Sequence, residues 1–157
     1  FLEDFSRFQA TYERYGLSNA NKLLLMAKLK GLEIEFHTGT IYHLEPYGVF
    51  DITLCNDLLE HLRDPITAIE QLYSATNNKC IITVSSAMKS TWLTRGKPIL
   101  TYQGHLSGGS FYSLSEPAVQ AMCRAAGFKQ TKVVNHFEMY NKEKKTKNNH
   151  FVIHAYK

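Results

Sequence analysis

Asn56, Asp57, Glu60 and His61 stand close together in the stretch FDITLCNDLLEHLRDP, residues 50–65. An amide, two carboxylates and an imidazole at that spacing offer hydrogen-bond acceptors to a ligand, and one group that exchanges a proton near neutral pH. A second imidazole of interest, His105, sits in a glycine-bearing segment, Gly104-His105-Leu106. The other histidines, His37, His43, His136, His150 and His154, show no ligand spacing and read as ordinary surface or strand residues. Cys55, Cys80 and Cys123 are scattered on apolar stretches without a metal-type spacing. An odd, sparse set fits buried thiols in a reducing compartment, hence the cytoplasm, better than a disulfide framework.

The elements that must position the polar cluster are legible on both sides of it. Residues 50–55 form an apolar run with β-branched members, the composition of a strand buried on both faces of a parallel sheet. Asp64 is a natural N-cap and Pro65 a natural first residue for a helix reaching about Ala75. The apolar face of that helix reads as Ile66, Ile69, Leu72 and Tyr73. Asn77-Asn78 then reads as a turn, and residues 80–84 as a second buried strand. In open α/β sheets ligands bind outside the carboxyl ends of the strands. Asn56, Asp57, Glu60 and His61 follow the first strand at that end.

Further along, the patterns are of several kinds. Phe1, Phe5, Phe8, Tyr12 and Tyr15 recur at helical spacing up to Gly16, and a second helix is expected over residues 19–30 between Ser18 and Gly31. Residues 32–37 alternate apolar and charged side chains, as a half-buried strand does, and Thr38-Gly39-Thr40 turns the chain. Residues 85–112 show little periodicity, and a loop of that length inside a domain is usually functional. Its apolar members Trp92, Leu93, Ile99 and Tyr102 could wall a site off from water. Ser113-Leu114-Ser115-Glu116 fits a capping box before a helix to Ala126, with Pro117 in its first turn and Gly127 as the stop. Residues 128–137 and 150–157 read as two strands joined by a Lys/Asn-rich turn.

At 157 residues the chain is sized for one domain and one core. No apolar run reaches the roughly 18 residues that a membrane span needs, and no secretory-signal pattern is present. The net charge of +4 comes largely from Lys142, Lys144, Lys145 and Lys147. These read either as a solvated hairpin turn or as a phosphate contact on a nucleic-acid acceptor.

Residues 50–65 resemble the fourth-strand signature of class I S-adenosylmethionine (SAM)-dependent methyltransferases: Phe-Asp, apolar residues, a small polar loop, Leu-Glu-His-Leu and Asp-Pro. Helix, Ala-Gly-Phe, strand, turn, strand, as in residues 115–157, is similarly a frequent ending in that family. The resemblance implies a Rossmann-like α/β fold, a mostly parallel sheet closed by an antiparallel hairpin. It implies SAM as cofactor, with Thr40 and Ile41 at the adenine and Asn56, Asp57 and Leu58 beside the methionine and sulfonium. At the adenine the family's usual Gly-Asp is replaced by Gly39-Thr40. A general base, where one is needed, falls to His61 or His105. In many members the Glu-His pair is structural.

A sharper alternative rests on Asp57-Leu58-Leu59-Glu60-His61, which resembles the acidic-x-x-Glu-His metal motif of ubiquinone-pathway O-methyltransferases and of small-RNA 3′-end methyltransferases. On one helical turn Asp57, Glu60 and His61 would converge on Mg²⁺, Mn²⁺ or Zn²⁺, with His105 as a fourth ligand.

The family's glycine-rich loop and the acidic end of its second strand have no counterpart in residues 1–157. The resemblance therefore covers nearly all of this chain, read as one domain, but only the later two-thirds of a methyltransferase domain. Residues 32–37 would then lack their family neighbours. The function implied is methyl transfer to a small molecule or to tRNA; Gly109-Ser110-Phe111-Tyr112 is similar to tRNA wobble-uridine-modifying transferases. The alternative is a degenerate methyltransferase fold serving as a binding or scaffold module.

Overall fold

The computed structural model describes residues 30–85, 96–104, 110–141 and 145–157. The helices expected over residues 1–15 and 19–30, the side chains Trp92 and Leu93, the lysines 142 and 144, and His105 lie outside the described residues, Lys30 excepted. The chain divides into two compact units, Phe1–Gly39 and Thr40–Lys157.

In the first unit, residues 32–39 carry neither helix nor strand. The strand expected at 32–37 does not form there, and Leu32, Ile34 and Phe36 are exposed. Alternation gives a segment two faces, but a strand also needs a hydrogen-bonded neighbour. The alternating sequence by itself supplies none.

The second unit is built on a four-stranded mixed sheet. Strand β1 (Phe50–Asn56) leads through a 3-10 turn at Leu59–His61 into helix α1 (Pro65–Ala75), and strand β2 (Thr76–Ser85) returns parallel to β1. Asp64 caps α1 as expected: its Oδ1 accepts from Thr67 N at 3.0 Å and its Oδ2 from Thr67 Oγ1 at 2.6 Å. These bonds lower the Asp64 carboxyl below the usual range. The buried face of α1 is Pro65, Ala68, Ile69, Leu72 and Ala75; Ile66 points to solvent. Asn77-Asn78 is not a turn, because β2 begins directly at Thr76. There the Thr76 hydroxyl takes over from the helix ladder, donating to Leu72 O at 2.6 Å.

Residues 86–111 are followed by helix α2 (Glu116–Ala125) and the hairpin β5 (Gln130–Asn141) and β6 (Thr146–Tyr156). The stretch expected to be irregular contains a small antiparallel pair, β3 (Leu100–Tyr102) with β4 (Tyr112–Leu114). The N-cap of α2 is Ser115, whose hydroxyl accepts from Ala118 N at 3.3 Å. Glu116 is the first helical residue rather than the third, so no capping box forms, and its carboxylate contacts His136 Nε2 at 2.8 Å. Gly127 ends the helix with φ 113°; a Cβ there would come within 2.8 Å of the Tyr73 ring.

The sheet order is β1-β2-β6-β5, with β1 and β2 parallel and the closing hairpin antiparallel at the other edge. Cys55, Ile69, Leu72, Cys80, Ile82, Val84, Val119, Cys123, Phe151 and Ile153 form its core against α1 and α2. The apolar run of β1 reads as a strand buried on both faces. Among the described residues it is an edge strand, and Ile52 and Leu54, which alternate with buried Cys55, are 53% and 63% exposed. Its composition suits a strand covered on both faces, and the described residues cover one. No described helix is long and apolar enough to cross a membrane.

Candidate functional site at the carboxyl ends of the parallel strands

β1 and β2 end side by side, and the end of β2 meets the middle of β6, with Ser85 opposite His150. Thr83 ties the first two together: its carbonyl accepts from Asp57 N at 2.9 Å and its hydroxyl donates to Asn56 Oδ1 at 3.2 Å. The chain then bends sharply. Asp57 has φ 46°, in the left-handed region that Asp tolerates better than most residues. This bend turns its carboxylate over the sheet, where Oδ2 lies 3.5 Å from Nε2 of His150. Its Oδ1 is buried and has no hydrogen-bond partner among the described residues.

Glu60 lies one short turn later and is 1% exposed. Its Oε1 accepts from Ser85 N at 3.0 Å, and its Oε2 is buried without a partner among the described residues. Burial raises the Glu60 carboxyl above its ordinary value. Hydrogen bonds to the backbone, including Ser85 N, and the nearby His61 oppose the rise, and the Asp57 carboxylate adds to it. The Glu60 carbonyl accepts from Phe111 N at 2.8 Å, and Tyr112 Oη donates to Arg63 O at 3.2 Å. So β4, at the end of the long segment, is fastened to the Glu60 turn.

His150 is 5% exposed. Its Nδ1 lies 3.1 Å from Asn148 O, and its ring stacks on Phe137 at 5.0 Å with an 8° interplanar angle. Sequence reasoning passed over His150 as an ordinary strand residue. Only the register of β6 against β2 and β5 brings it to Asp57, and that pairing is not local in sequence.

The other expected site residues are placed as follows. Leu58 is half-buried against the core, and Asn56 is exposed at the strand end. Thr40 is exposed; its hydroxyl accepts from Tyr42 N at 3.3 Å and its carbonyl from His43 N at 3.2 Å, a local turn. Ile41 helps line a cleft of about 280 Å³ with Leu44, Tyr47, Ile52 and Leu54, along the outer edge of β1. That cleft is apolar and lies along the strand, not at the carboxylates. His61 is exposed, while Glu60 before it is buried. Successive residues of a 3-10 turn point about 120° apart, so the two do not face one ion. Among the described residues no group of three or more His, Cys, Asp or Glu side chains could hold a metal. The convergence expected of Asp57, Glu60 and His61 therefore does not occur, because Glu60 turns inward to the backbone of Ser85. His105 is outside the described residues.

All three cysteines are free and buried. Burial pushes the thiols of Cys55 and Cys123 up to about 12, so they pack as small apolar groups and take no part in the site.

No protein-family model and no curated protein matches the chain. Solved structures do. The N-terminal domain of EvdMO1 with S-adenosylhomocysteine (SAH) bound aligns over 84% of this chain and 58% of its own, at 16% identity and a TM-score of 0.56. The YcgJ protein of Bacillus subtilis aligns over 84% of this chain and 75% of its own, at 15% identity and a TM-score of 0.62. The 1,6-didemethyltoxoflavin-N1-methyltransferase of Burkholderia thailandensis, with SAH and its acceptor bound, aligns over 86% of this chain and 56% of its own, at 17% identity and a TM-score of 0.58. The resemblance read in residues 50–65 is thus matched by a likeness of fold: the chain has the Rossmann-like fold of class I SAM-dependent methyltransferases. It spans somewhat more than half the length of the first and third of these structures.

Proposed function

We propose that this chain is the acceptor-side portion of a SAM-dependent methyltransferase acting on a small molecule. One observation carries the reading. At the end of the first parallel strand, in a methyltransferase sheet, Asp57 is bent so that one carboxylate oxygen is buried without a partner among the described residues. A buried acceptor left unpaired costs free energy in the chain alone, and a cationic ligand would satisfy it. SAM supplies a methyl group already activated on a sulfonium. What remains for the protein is to orient the donor and acceptor in line and exclude water.

In this reading Asn56, Asp57 and Leu58 bind the methionine side and sulfonium. Ile41 packs on the adenine. The Thr40 hydroxyl already serves its own turn, so it contributes weakly there. Where the acceptor must lose a proton, the exposed imidazole of His61 is a candidate base, together with His105. The B. thailandensis protein is a 1,6-didemethyltoxoflavin-N1-methyltransferase with 1,6-didemethyltoxoflavin bound, which supports a small-molecule acceptor over tRNA. Calorimetric titration with SAM and SAH tests the cofactor. Saturable binding that weakens in Asp57→Asn is expected, and no saturable binding of either ligand would overturn the proposal. For the acceptor, methyl-labelled SAM is incubated with bulk tRNA, and label in the tRNA would overturn the small-molecule reading.

A further inference from the structure

The small sheet of β3 and β4 is fastened to the Glu60 turn, and methyl transfer as described above gives it no task. We infer that Tyr102 and Tyr112 form a stacking corner for the acceptor, and that the acceptor is therefore a planar aromatic or heteroaromatic small molecule. The inference rests on the proposed function above and names the substrate class of that site.

Strand register makes the pair. Tyr102 and Tyr112 stand directly opposite each other on antiparallel strands, so both side chains leave the same face of the small sheet. Their ring centroids are 5.8 Å apart and their planes are tilted by 57°. Two rings so placed make a corner. A third ring can stack on one while turning its edge to the other, the two arrangements that the aromatic quadrupole favours. Tyr112 is half-buried, and its Oη donates to Arg63 O at 3.2 Å. Beside it in the chain, Phe111 N donates to Glu60 O at 2.8 Å. Tyr112 is thus tied at both ends to the turn that carries His61, the candidate base.

Tyr102 supplies the open face. It is 66% exposed, and among the described residues no large hydrophobic side chain is more so. Its strand is nonetheless held in place: Gln103 N donates to Phe111 O at 2.7 Å, and Ile99 N to the Ser115 hydroxyl at 2.9 Å. The chain leaves β3 at Gly104 with φ 62°, and this residue has no side chain to lay against the ring; a Cβ there would stand 3.6 Å from Tyr102 Cε1. Phe111, by contrast, already has the Arg63 guanidinium 5.5 Å from its ring centroid. A ring presented on a hydrogen-bonded strand is ordered before the ligand arrives, so little freedom is lost on stacking. The corner is flat, apolar and uncharged, which selects a planar ring over a saturated ring or an open chain.

Ligand-observed NMR titration of the full chain tests this with two probes of one carbon frame, planar 2-naphthol and saturated decahydro-2-naphthol. The saturated probe is at least as apolar, so simple hydrophobic binding would not favour the planar one. Wild type is expected to bind 2-naphthol about fivefold more tightly, the scale of one aromatic contact. Tyr102→Leu keeps apolar bulk and removes the ring, so it should lose that preference, and Tyr102→Phe should retain it. Tyr102 is exposed, so both variants should fold, which their thermal denaturation checks. Equal affinity of wild type for the two probes, no binding of 2-naphthol, or an undiminished preference in Tyr102→Leu would each overturn the inference. Titrating the same wild-type sample with SAM and SAH separates the failures. Cofactor binding without 2-naphthol binding overturns this inference alone. A Tyr102-dependent preference for 2-naphthol with neither cofactor bound overturns the methyltransferase reading, and the acceptor role with it.

Discussion

Glu60 offers the sharpest test of the site's electrostatics, through the substitution Glu60→Gln. The side chain is 1% exposed, and one of its two oxygens has no partner among the described residues. Leaving a buried polar atom unsatisfied costs about 1–3 kcal/mol, and more for a charged group. Gln keeps the shape and the acceptor for Ser85 N, and it removes the charge. The sign follows from the raised carboxyl. Below the ordinary value of 4.5 the group is protonated in both the folded and unfolded chain. As pH rises, the unfolded chain loses its proton first and is favoured by doing so. Wild type therefore loses stability as pH climbs from 4.5 through the higher folded value, after which the loss is complete. Gln does not titrate. Glu60→Gln should match wild type near pH 4.5 and exceed it at pH 8 by about 1 kcal/mol, taking the low end because the amide nitrogen is itself unpartnered. In a chain of this size that is about 2–4 °C in Tm. Glu60→Ala should go the other way at every pH, since it strands Ser85 N and opens a void. Urea unfolding from pH 4.5 to 8 measures all three. A Glu60→Gln protein less stable than wild type at pH 8 would refute the reasoning, because it would mean that the ionised carboxylate is compensated.

Other consequences can be checked alongside. Cys55 and Cys123, with thiols raised to about 12, should resist iodoacetamide at pH 8 in the folded protein and react on unfolding in urea, as followed by mass spectrometry. Gly127→Ala combines φ 113° with a Cβ 2.8 Å from the Tyr73 ring, so it should lower stability by about 1 kcal/mol or more in thermal denaturation. Asp64→Ala removes the α1 cap bonds to Thr67 and should cost about 0.5–2 kcal/mol in the same assay. Ile82→Ala, at a fully buried position in the core, should cost about 2–5 kcal/mol.

The strand-helix-strand unit from Phe50 to Ser85 was legible because its signals are local. A β-branched run, Asp64 before Pro65 and a second apolar run each act within a few residues, and the pairing of β1 with β2 follows from the connection between them. The closing hairpin was legible for the same reason. Residues 32–37 show the limit: their alternation is real, but it does not supply the neighbour that makes a strand. Leu100-Thr101-Tyr102 failed in the opposite way. Three residues are too few for a period to show, and that strand is fixed by Tyr112–Leu114 and by Ser115, whose hydroxyl accepts from Ile99 N at 2.9 Å.

The site was legible in its place and not in its wiring. Residue types put Asn56, Asp57, Glu60 and His61 at the carboxyl end of β1, and the structure has them there. What spacing could not decide was the handedness of one residue and the pitch of one turn. An α-helical turn from Asp57 would have carried Glu60 and His61 to one side as candidate ligands. A left-handed Asp57 followed by a 3-10 turn instead sends Glu60 into the core and His61 to solvent, while Asp57 itself swings back across β2 toward β6. That swing is what brings Asp57 to His150, whose position depends on strand register alone. A one-residue slip of β6 would turn His150 to the opposite face of the sheet, away from the Asp57 carboxylate. The histidine that a local reading passed over is therefore the one that the fold itself, through β6, places beside Asp57 at the carboxyl end of the parallel strands.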